Sequence, residues 1–308
     1  MSVVLICPEE NGSVWEAQLR RHDATLDMEV WPDVERPESI TYAIVARLPQ
    51  GVLSPFINLK AILSTWAGVE GLLADTSVPA DIPIVRMVEP SLTQGMVEYV
   101  CCQVLNAHLR TRLYQDPEWG HPQKLFPRYA PGTRVGVMGL GALGSACAKA
   151  LTALGFQVLG WSRTEKNIAN VESYAGMNAL DDFLEQSEIV VGLLPNTPDT
   201  FALLNAKRLA VMPKGAAIIN AGRGELINDD ALVSALESGH IREAILDVFL
   251  EEPLPPDHPY RKLPQVTISP HVASVTNPET AAPVLLNTLR RLRQGLPVEH
   301  VVDRSHGY

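Results

Sequence analysis

Residues 134 to 150, RVGVMGLGALGSACAKA, decide how the chain is read. The apolar run Val135, Val137 and Met138 suits a strand covered on both faces. Gly139-Leu140-Gly141-Ala142-Leu143-Gly144 then places glycines at the three positions of a G-x-G-x-x-G turn. Gly139 permits the tight turn, Gly141 leaves no Cβ between the backbone and a pyrophosphate, and Gly144 lets a helix lie close to the strand. Such a turn alone is weak evidence. Here Ser145 to Leu154 carries the small and apolar residues of a packed helix, and Gln157 to Trp161 follows as a second strand, completing a βαβ unit. The unit predicts a Rossmann-type dinucleotide site, with N–H groups and the dipole of the helix start facing phosphates. Gly139, Gly141, Ala142, Leu143 and Gly144 are expected to form it.

The end of the second strand bears on which dinucleotide fits. A carboxylate about 20 residues after the fingerprint holds the ribose 2′-hydroxyl of NAD. The stretch here is Trp161-Ser162-Arg163-Thr164, with Lys166 close behind. Two hydroxyls and a guanidinium suit the 2′-phosphate of NADP, so NADP(H) is the expected cofactor and NAD(H) a lesser one. The alternative is a solvated basic loop.

A length of 308 residues corresponds to about two domains, each large enough for its own core. With 46% hydrophobic residues and a mean hydropathy of +0.05, the composition is that of a globular protein. A net charge of −10 argues against nucleic acid or an anionic membrane as partner, so a bound anion must meet a local cationic pocket. Met1 to Cys7 is too short for a signal peptide, and no apolar stretch is long enough to cross a bilayer, so a cytoplasmic protein is expected. Cys7, Cys101, Cys102 and Cys147 show no ligand spacing, and no metal or redox centre is expected.

Residues 1 to about 95 read as a smaller α/β unit, with strand-like runs at Val3 to Cys7, Tyr42 to Ala46, Ala61 to Ser64 and Ile84 to Val85. The loop Ser64-Thr65-Trp66-Ala67-Gly68-Val69-Glu70 follows a strand directly. Its backbone N–H groups would hold a small anion, or it is a plain strand-to-helix turn. Arg47 and Arg86 either supply charge to the same crevice or lie on the surface. Ser91 to Leu113 has a helical pattern, with Met96, Tyr99, Val100, Gln103, Val104 and Ala107 in step. Tyr114 to Thr133 has no regular period and reads as an extended arm, packed on its own domain or on a second subunit.

Beyond the fingerprint, strand-like segments recur at Glu188 to Leu194, Ala216 to Asn220, Ala244 to Phe249 and Gln265 to Ser269, with helical stretches such as Asp229 to Glu237 between them. This alternation predicts an α/β fold: a doubly wound parallel sheet (Rossmann) for the nucleotide domain, and a smaller flavodoxin-like substrate domain. The expected boundaries are 100–275 for the nucleotide domain and 1–99 with 276–308 for the substrate domain, a C-terminal helix from about Pro278 to Gly295 returning to the latter. Substrate is expected in a cleft between the two. Ligands in such sheets sit at the carboxyl ends of strands. Those ends are Leu194-Pro195-Asn196-Thr197, Ala221-Gly222-Arg223-Gly224, Asp247 with Glu251-Glu252-Pro253-Leu254, and Ser269-Pro270-His271. They offer a cation, carboxylates and an imidazole, the groups that hold a carboxylate substrate and shuttle a proton.

These segments also carry a resemblance. The fingerprint, PNTPDT at 195–200, NAGRGELI at 220–227, LDVFLEEPLP at 246–255 and SPH at 269–271 resemble the D-isomer-specific 2-hydroxyacid dehydrogenases over nearly the whole chain. WSRT, LLPNTP, DVF followed by EPLPP, and the closing Asp303 to Tyr308 are most similar to the glyoxylate/hydroxypyruvate reductase A branch. The resemblance implies a catalytic trio of Arg223, Glu252 and His271. It implies substrate-carboxylate binding at Ala67-Gly68-Val69, flanked by Trp66 and Arg86. It implies cofactor contacts from Leu194, Pro195, Thr200, Ala221 and Asp247, and it implies a homodimer.

Chemistry is consistent with the trio. Hydride delivered to the carbonyl carbon of a 2-oxo acid leaves negative charge on oxygen, and an imidazole can deliver the proton near neutrality. A neighbouring carboxylate stabilises the imidazolium and fixes its tautomer, the part expected of Glu252. Arg223 offers a planar fork to the substrate carboxylate and carbonyl oxygen. Two positions depart from the family: Ala142, where many relatives carry Arg, and Trp66, where some carry a small residue. Two other readings stand beside this one. They are a nucleotide-sensing corepressor-like binding protein, though no disordered docking tail is present, and a dehydrogenase for a bulkier 2-keto acid such as phenylpyruvate.

Overall fold

Apolar runs too short for helices open the chain, and in the computed structural model, which describes residues 2–8, 12–114 and 128–308, they form a parallel sheet. The first elements are β1 (Ser2–Ile6), α1 (Gly12–His22), β2 (Met28–Val30), β3 (Ile40–Val45), β4 (Ala61–Ser64), α2 (Glu70–Ala74), β5 (Ile84–Val85) and α3 (Pro90–Leu109). Their five strands lie in the order β2-β1-β3-β4-β5, all neighbours parallel, which is the flavodoxin-like order. Strands β1 and β4 are buried at every position, as expected where helices cover both faces.

The chain continues through β6 (Arg134–Met138), α4 (Ala142–Ala153), β7 (Gln157–Ser162), β8 (Val171–Ala175), α5 (Leu180–Gln186) and β9 (Ile189–Gly192). Then come α6 (Ala206–Val211), β10 (Ala216–Asn220), α7 (Asp229–Glu237), β11 (Ile241–Leu246), β12 (Val266–Ile268) and α8 (Pro278–Arg293). Seven strands pair in parallel in the order β12-β11-β10-β9-β6-β7-β8. This is the doubly wound Rossmann arrangement, whose order reverses between β6 and β9, the switch point where ligands bind.

Two compact units result: Met1–Leu92 with Val275–Tyr308, and Thr93–Ser274. In the second, Phe183 and Leu232 pack on one face of the sheet against Met138 and Ile218, while Val104 and Cys147 pack on the other against Val137 and Ile219. In the first, α8 lays Ala281, Ala282, Leu285, Leu286 and Leu289 on the core of Trp15, Leu19 and Leu5, a stripe at helical spacing. Val302 packs in a separate cluster with Val4, Ile6, Ile62 and Ile84, its N–H donating to Ile84 O at 2.8 Å.

Where the structure departs from the expected elements, the reason is local. β2 and β8 carry no apolar run because each is a sheet edge, with half-exposed positions that bear polar side chains. β11 begins three residues before the expected Ala244, at Ile241, because Arg242 and Glu243 interrupt the apolar pattern. The Arg242 guanidinium reaches Gly215 O at 2.7 Å and Ala107 O at 2.6 Å and pairs with Glu243 at 2.9 Å, so both charges are satisfied inside the strand. The expected arm at 114–133 falls mostly on 115–127, outside the described residues.

The fingerprint glycines differ in what surrounds them. A Cβ built on Gly144 collides with the Gly139 carbonyl oxygen, whereas one built on Gly141 meets nothing within 4 Å. Gly144→Ala is therefore expected to lower stability by about 1–3 kcal/mol through overpacking, and Gly141→Ala by less than about 1 kcal/mol. Urea unfolding of the two variants checks this; equal midpoints would contradict it.

Candidate active site

The carboxyl ends of the parallel strands meet along one edge of the second unit. There Gly139, at φ +100°, turns the chain out of β6, and its N–H still donates to Trp161 O at 2.8 Å. α4 starts immediately, with Gly141 as N-cap and no side chain closing its first turn. By contrast α6, α7 and α8 are capped by the side chains of Asn205, Asn228 and Asn277. The first N–H groups of a helix have no intrahelical partner. At α4 no side chain takes them, and the open space above Gly141 together with exposed Ala142 and half-buried Leu143 would fit a pyrophosphate.

At the end of β7, Ser162 is buried and its hydroxyl donates to Thr164 O at 2.8 Å, shaping the turn. Arg163, Thr164 and Lys166 are exposed, as is Glu165 between them. A cationic hydroxyl-bearing turn of this kind fits a terminal phosphate, with Glu165 as the opposing charge.

After β9, Thr200 staples the 195–200 loop: its hydroxyl accepts from Thr197 N at 2.8 Å and donates to Pro195 O at 2.7 Å. Leu194 and Ala221 are buried beside it. After β10 comes the loop of Arg223. Asn220, at 1% exposure, clamps it from both sides, Nδ2 donating to Arg223 O at 2.8 Å and Oδ1 accepting from Gly222 N at 3.2 Å. A Cβ on Gly222 would lie 2.8 Å from Leu194 O, and one on Gly224 would strike the Phe249 backbone. Only glycine fits at either flank, so the GRG spacing sets where Arg223 stands. Its Nη1 donates to Gly222 O at 2.7 Å.

The loops after β11 and β12 bring the other two expected residues together. His271 Nδ1 lies 2.8 Å from Glu252 Oε2, and Glu252 Oε1 accepts from Phe249 N at 2.9 Å. Partial burial opposes ionisation of Glu252. The hydrogen bonds from His271 and Phe249 N–H, with the charges of His271 and Arg223, outweigh it and hold the carboxyl below its ordinary range. Because Nδ1 is engaged, Nε2 of the half-exposed ring is the nitrogen left to a substrate. His271 itself sits at φ +54°.

Asp247, completely buried, anchors that loop instead of facing outward. Its carboxylate accepts from Ser269 Oγ at 2.6 Å, Val272 N at 3.0 Å and Ala273 N at 2.9 Å, and its carbonyl from His271 N at 2.8 Å. Asn220 and Ser269 are contributors that the reading of residue types alone did not single out. The signal for Asn220 was a polar residue closing the buried run Ala216 to Ile219.

Trp66, Ala67, Gly68 and Arg86 belong to the first unit. Ser64 Oγ donates to Trp66 O and accepts from Trp66 N, both at 3.0 Å, and Met87 N donates to Trp66 O at 2.9 Å. The 66–68 turn and Arg86 thus sit at the ends of the paired strands β4 and β5. Trp66 is 38% exposed, Ala67 and Gly68 are half-buried, and burial draws the Arg86 guanidinium below its ordinary value. Among the described residues no cluster of three metal-ligating side chains occurs, and no helix is long and apolar enough to cross a membrane.

Comparison with known proteins agrees with this geometry. Residues 100–273 match the family described as D-isomer specific 2-hydroxyacid dehydrogenase, NAD binding domain. The glyoxylate/hydroxypyruvate reductase A of Serratia proteamaculans (strain 568) is 35% identical over 318 aligned positions, covering 100% of both chains. A D-isomer specific 2-hydroxyacid dehydrogenase from Xanthobacter autotrophicus Py2, solved in complex with NADPH and MES, superposes with a TM-score of 0.95 at 40% identity, covering 100% of this chain and 99% of that one. An NADPH-dependent glyoxylate/hydroxypyruvate reductase from Sinorhizobium meliloti, solved with NADP and sulfate, gives 0.92 at 34% identity with the same coverage. The chain belongs to the D-isomer-specific 2-hydroxyacid dehydrogenase family.

Proposed function

We propose that this protein reduces small 2-oxo acids, of the glyoxylate and hydroxypyruvate class, to D-2-hydroxy acids with NADPH. The observation that carries the reading is the 2.8 Å contact between His271 Nδ1 and Glu252 Oε2 at the strand-end edge that also bears Arg223. The relatives named glyoxylate/hydroxypyruvate reductase support the substrate, and the similar structures solved with NADPH or NADP support the cofactor. The G-x-G-x-x-G turn and the start of α4 hold the pyrophosphate, and Ser162, Arg163 and Thr164 hold the 2′-phosphate. The reduced nicotinamide, when bound, supplies a hydride.

His271 delivers a proton from Nε2 to the carbonyl oxygen as that oxygen gains charge. Glu252 keeps the Nδ1–H side of the ring occupied and compensates the imidazolium. Arg223 neutralises the carboxylate of the substrate and the developing oxyanion. Trp66, Ala67, Gly68 and Arg86 are assigned to the substrate carboxylate, Arg86 as a partly desolvated cation and the turn through its N–H groups. The cytoplasm as compartment and a homodimer as assembly belong to the same reading.

NADPH is expected to be used about ten-fold more efficiently than NADH, from about 1.4 kcal/mol for one charge-assisted contact. Arg163→Ala is expected to remove most of that gap. Steady-state kcat/KM with both cofactors checks this, and a variant that keeps the full preference would place the phosphate elsewhere.

The two directions are expected to depend oppositely on pH. Reduction consumes a proton at the carbonyl oxygen and falls as pH rises, while oxidation of the 2-hydroxy acid releases one and rises with pH. Glu252, held below the ordinary carboxylate range, stays ionised at acidities where an unperturbed glutamate would begin to take up a proton, so it keeps supporting the ring on the acid side. Glu252→Gln is expected to move the reduction limb to lower pH with NADPH binding nearly unchanged. His271→Ala is expected to lower both directions by roughly 10²- to 10⁴-fold. Rate profiles with glyoxylate, hydroxypyruvate and phenylpyruvate test the assignment; a limb unmoved by Glu252→Gln would contradict it.

A further inference from the structure

The candidate acid stands on a loop whose backbone is held from behind. Asp247 takes the N–H groups of Val272 and Ala273 and the Ser269 hydroxyl, while its carbonyl takes the His271 N–H. His271 is thereby kept at φ +54°, a backbone conformation that side-chain-bearing residues seldom adopt. The hydrogen bonds continue one step further. Tyr99, on α3 and 170 residues away in sequence, places its hydroxyl 2.7 Å from Ser269 Oγ.

The direction of the chain follows from counting protons. Both Asp247 oxygens accept backbone N–H groups, so the carboxylate acts as acceptor and the single Ser269 proton goes to it at 2.6 Å. Ser269 then has only lone pairs to offer, and Tyr99 must be the donor. Burial, aided by the charge of Asp247, pushes the phenol up to about 12, so the donor keeps its proton through the neutral range. The Tyr99 ring packs among partly buried apolar residues near Val100 and Val104, so replacing it with Phe removes the hydroxyl and leaves the packing.

We propose that Tyr99 is a positioning residue: through Ser269 and Asp247 its hydroxyl fixes the backbone at 271–273 and hence the place of the His271 ring against Glu252. The proposal rests on the reading of His271 as the acid. Tyr99 touches neither the ring nor any reacting group and acts only through the serine. Its influence must therefore vanish once that serine hydroxyl is gone.

The test is a double-mutant cycle on the full-length protein with NADPH: Tyr99→Phe, Ser269→Ala, both together, and Ser269→Thr. Rates are read with whichever 2-oxo acid the wild type reduces fastest, and the Nδ1–H signal of His271 is read by 1H–15N NMR. Tyr99→Phe is expected to lower kcat roughly 3- to 10-fold, less than the ~100-fold that a full ångström of misplacement brings, with KM for NADPH within about two-fold. It is also expected to shift or broaden the His271 signal. Ser269→Ala is expected to lower kcat further, the double variant no further than Ser269→Ala alone, and Ser269→Thr, which keeps the hydroxyl, to retain most of the rate. Losses that multiply in the double variant, or a Tyr99→Phe protein with unchanged kcat and an unmoved signal, would overturn the proposal. Should the wild type reduce none of the acids, the proposed function fails. The NMR comparison still decides the chain, a moved signal supporting it and an unmoved one refuting it.

Discussion

The buried carboxylate of Asp247 is the contact on which the strand-end edge depends. Parallel strands end together, and the loops that follow them expose N–H groups with no ladder partner. Asp247, closing β11, supplies acceptors for three consecutive backbone N–H groups of the loop after β12, at His271, Val272 and Ala273. Asn220, closing β10, does the same work for the loop of Arg223, with one acceptor and one donor. In both places a buried polar side chain, at the last residue of β10 or just past the end of β11, turns back on the loop that carries a candidate functional group. An apolar residue at either position would take the side-chain acceptor from the Val272 and Ala273 N–H groups, or from that of Gly222, which is more damaging than losing one hydrogen bond from the surface.

Glycines complete the arrangement by letting these loops touch. Gly139 lies against the Leu193 carbonyl, Gly222 against Leu193 and Leu194, and Gly224 against Phe249 and Leu250, each too close for a Cβ. The turns after β6, β9, β10 and β11 therefore form one contiguous packed layer. Close-packed layers transmit displacement instead of absorbing it. A change in any of these turns would move Arg223 relative to the His271–Glu252 pair, and acid–base geometry tolerates little of that.

How much of this could be read from residues alone depended on whether the signal was local. The fingerprint turn was legible because three glycines and an apolar strand are contiguous, and strands β1, β4, β6, β7 and β10 were legible because both of their faces are buried. Edge strands β2 and β8 were not, since one side of an edge faces solvent and its residues are chosen for solubility. Arg242 and Glu243 concealed the start of β11 because their partners, Gly215 and Ala107, lie far away in sequence. At the site, Arg223 and His271 stood out as a cation and an imidazole at strand ends, while Glu252 was set apart from its neighbour Glu251 only by the family resemblance. Tyr99 did not, because on α3 it fits the helical apolar stripe and its hydroxyl finds Ser269 only in three dimensions. Asp247 was legible as a residue but not in its orientation, which is inward, to the backbone of its own neighbouring loop.

A chain of net charge −10 that is to hold the two anions of the proposed reaction, a dinucleotide and a 2-oxo acid, has to keep its own carboxylates from repelling them. The strand-end edge does so one carboxylate at a time. Asp247 is withdrawn into the interior and spent on three donors. Glu225, two residues after Arg223, accepts from Asn196 Nδ2 at 2.9 Å. Glu252 is committed to His271 and the Phe249 N–H, which together compensate its charge and hold the carboxyl below its ordinary range. On the proposed reading an incoming anion meets the N-terminus of α4, the Arg223 guanidinium and the imidazole, groups that act over a few ångströms. Long-range steering by the whole molecule runs the other way, so affinity for both anions must rest on this short-range layer, and the hydrogen bonds that fix its loops are part of the binding site as much as the residues that touch the ligands.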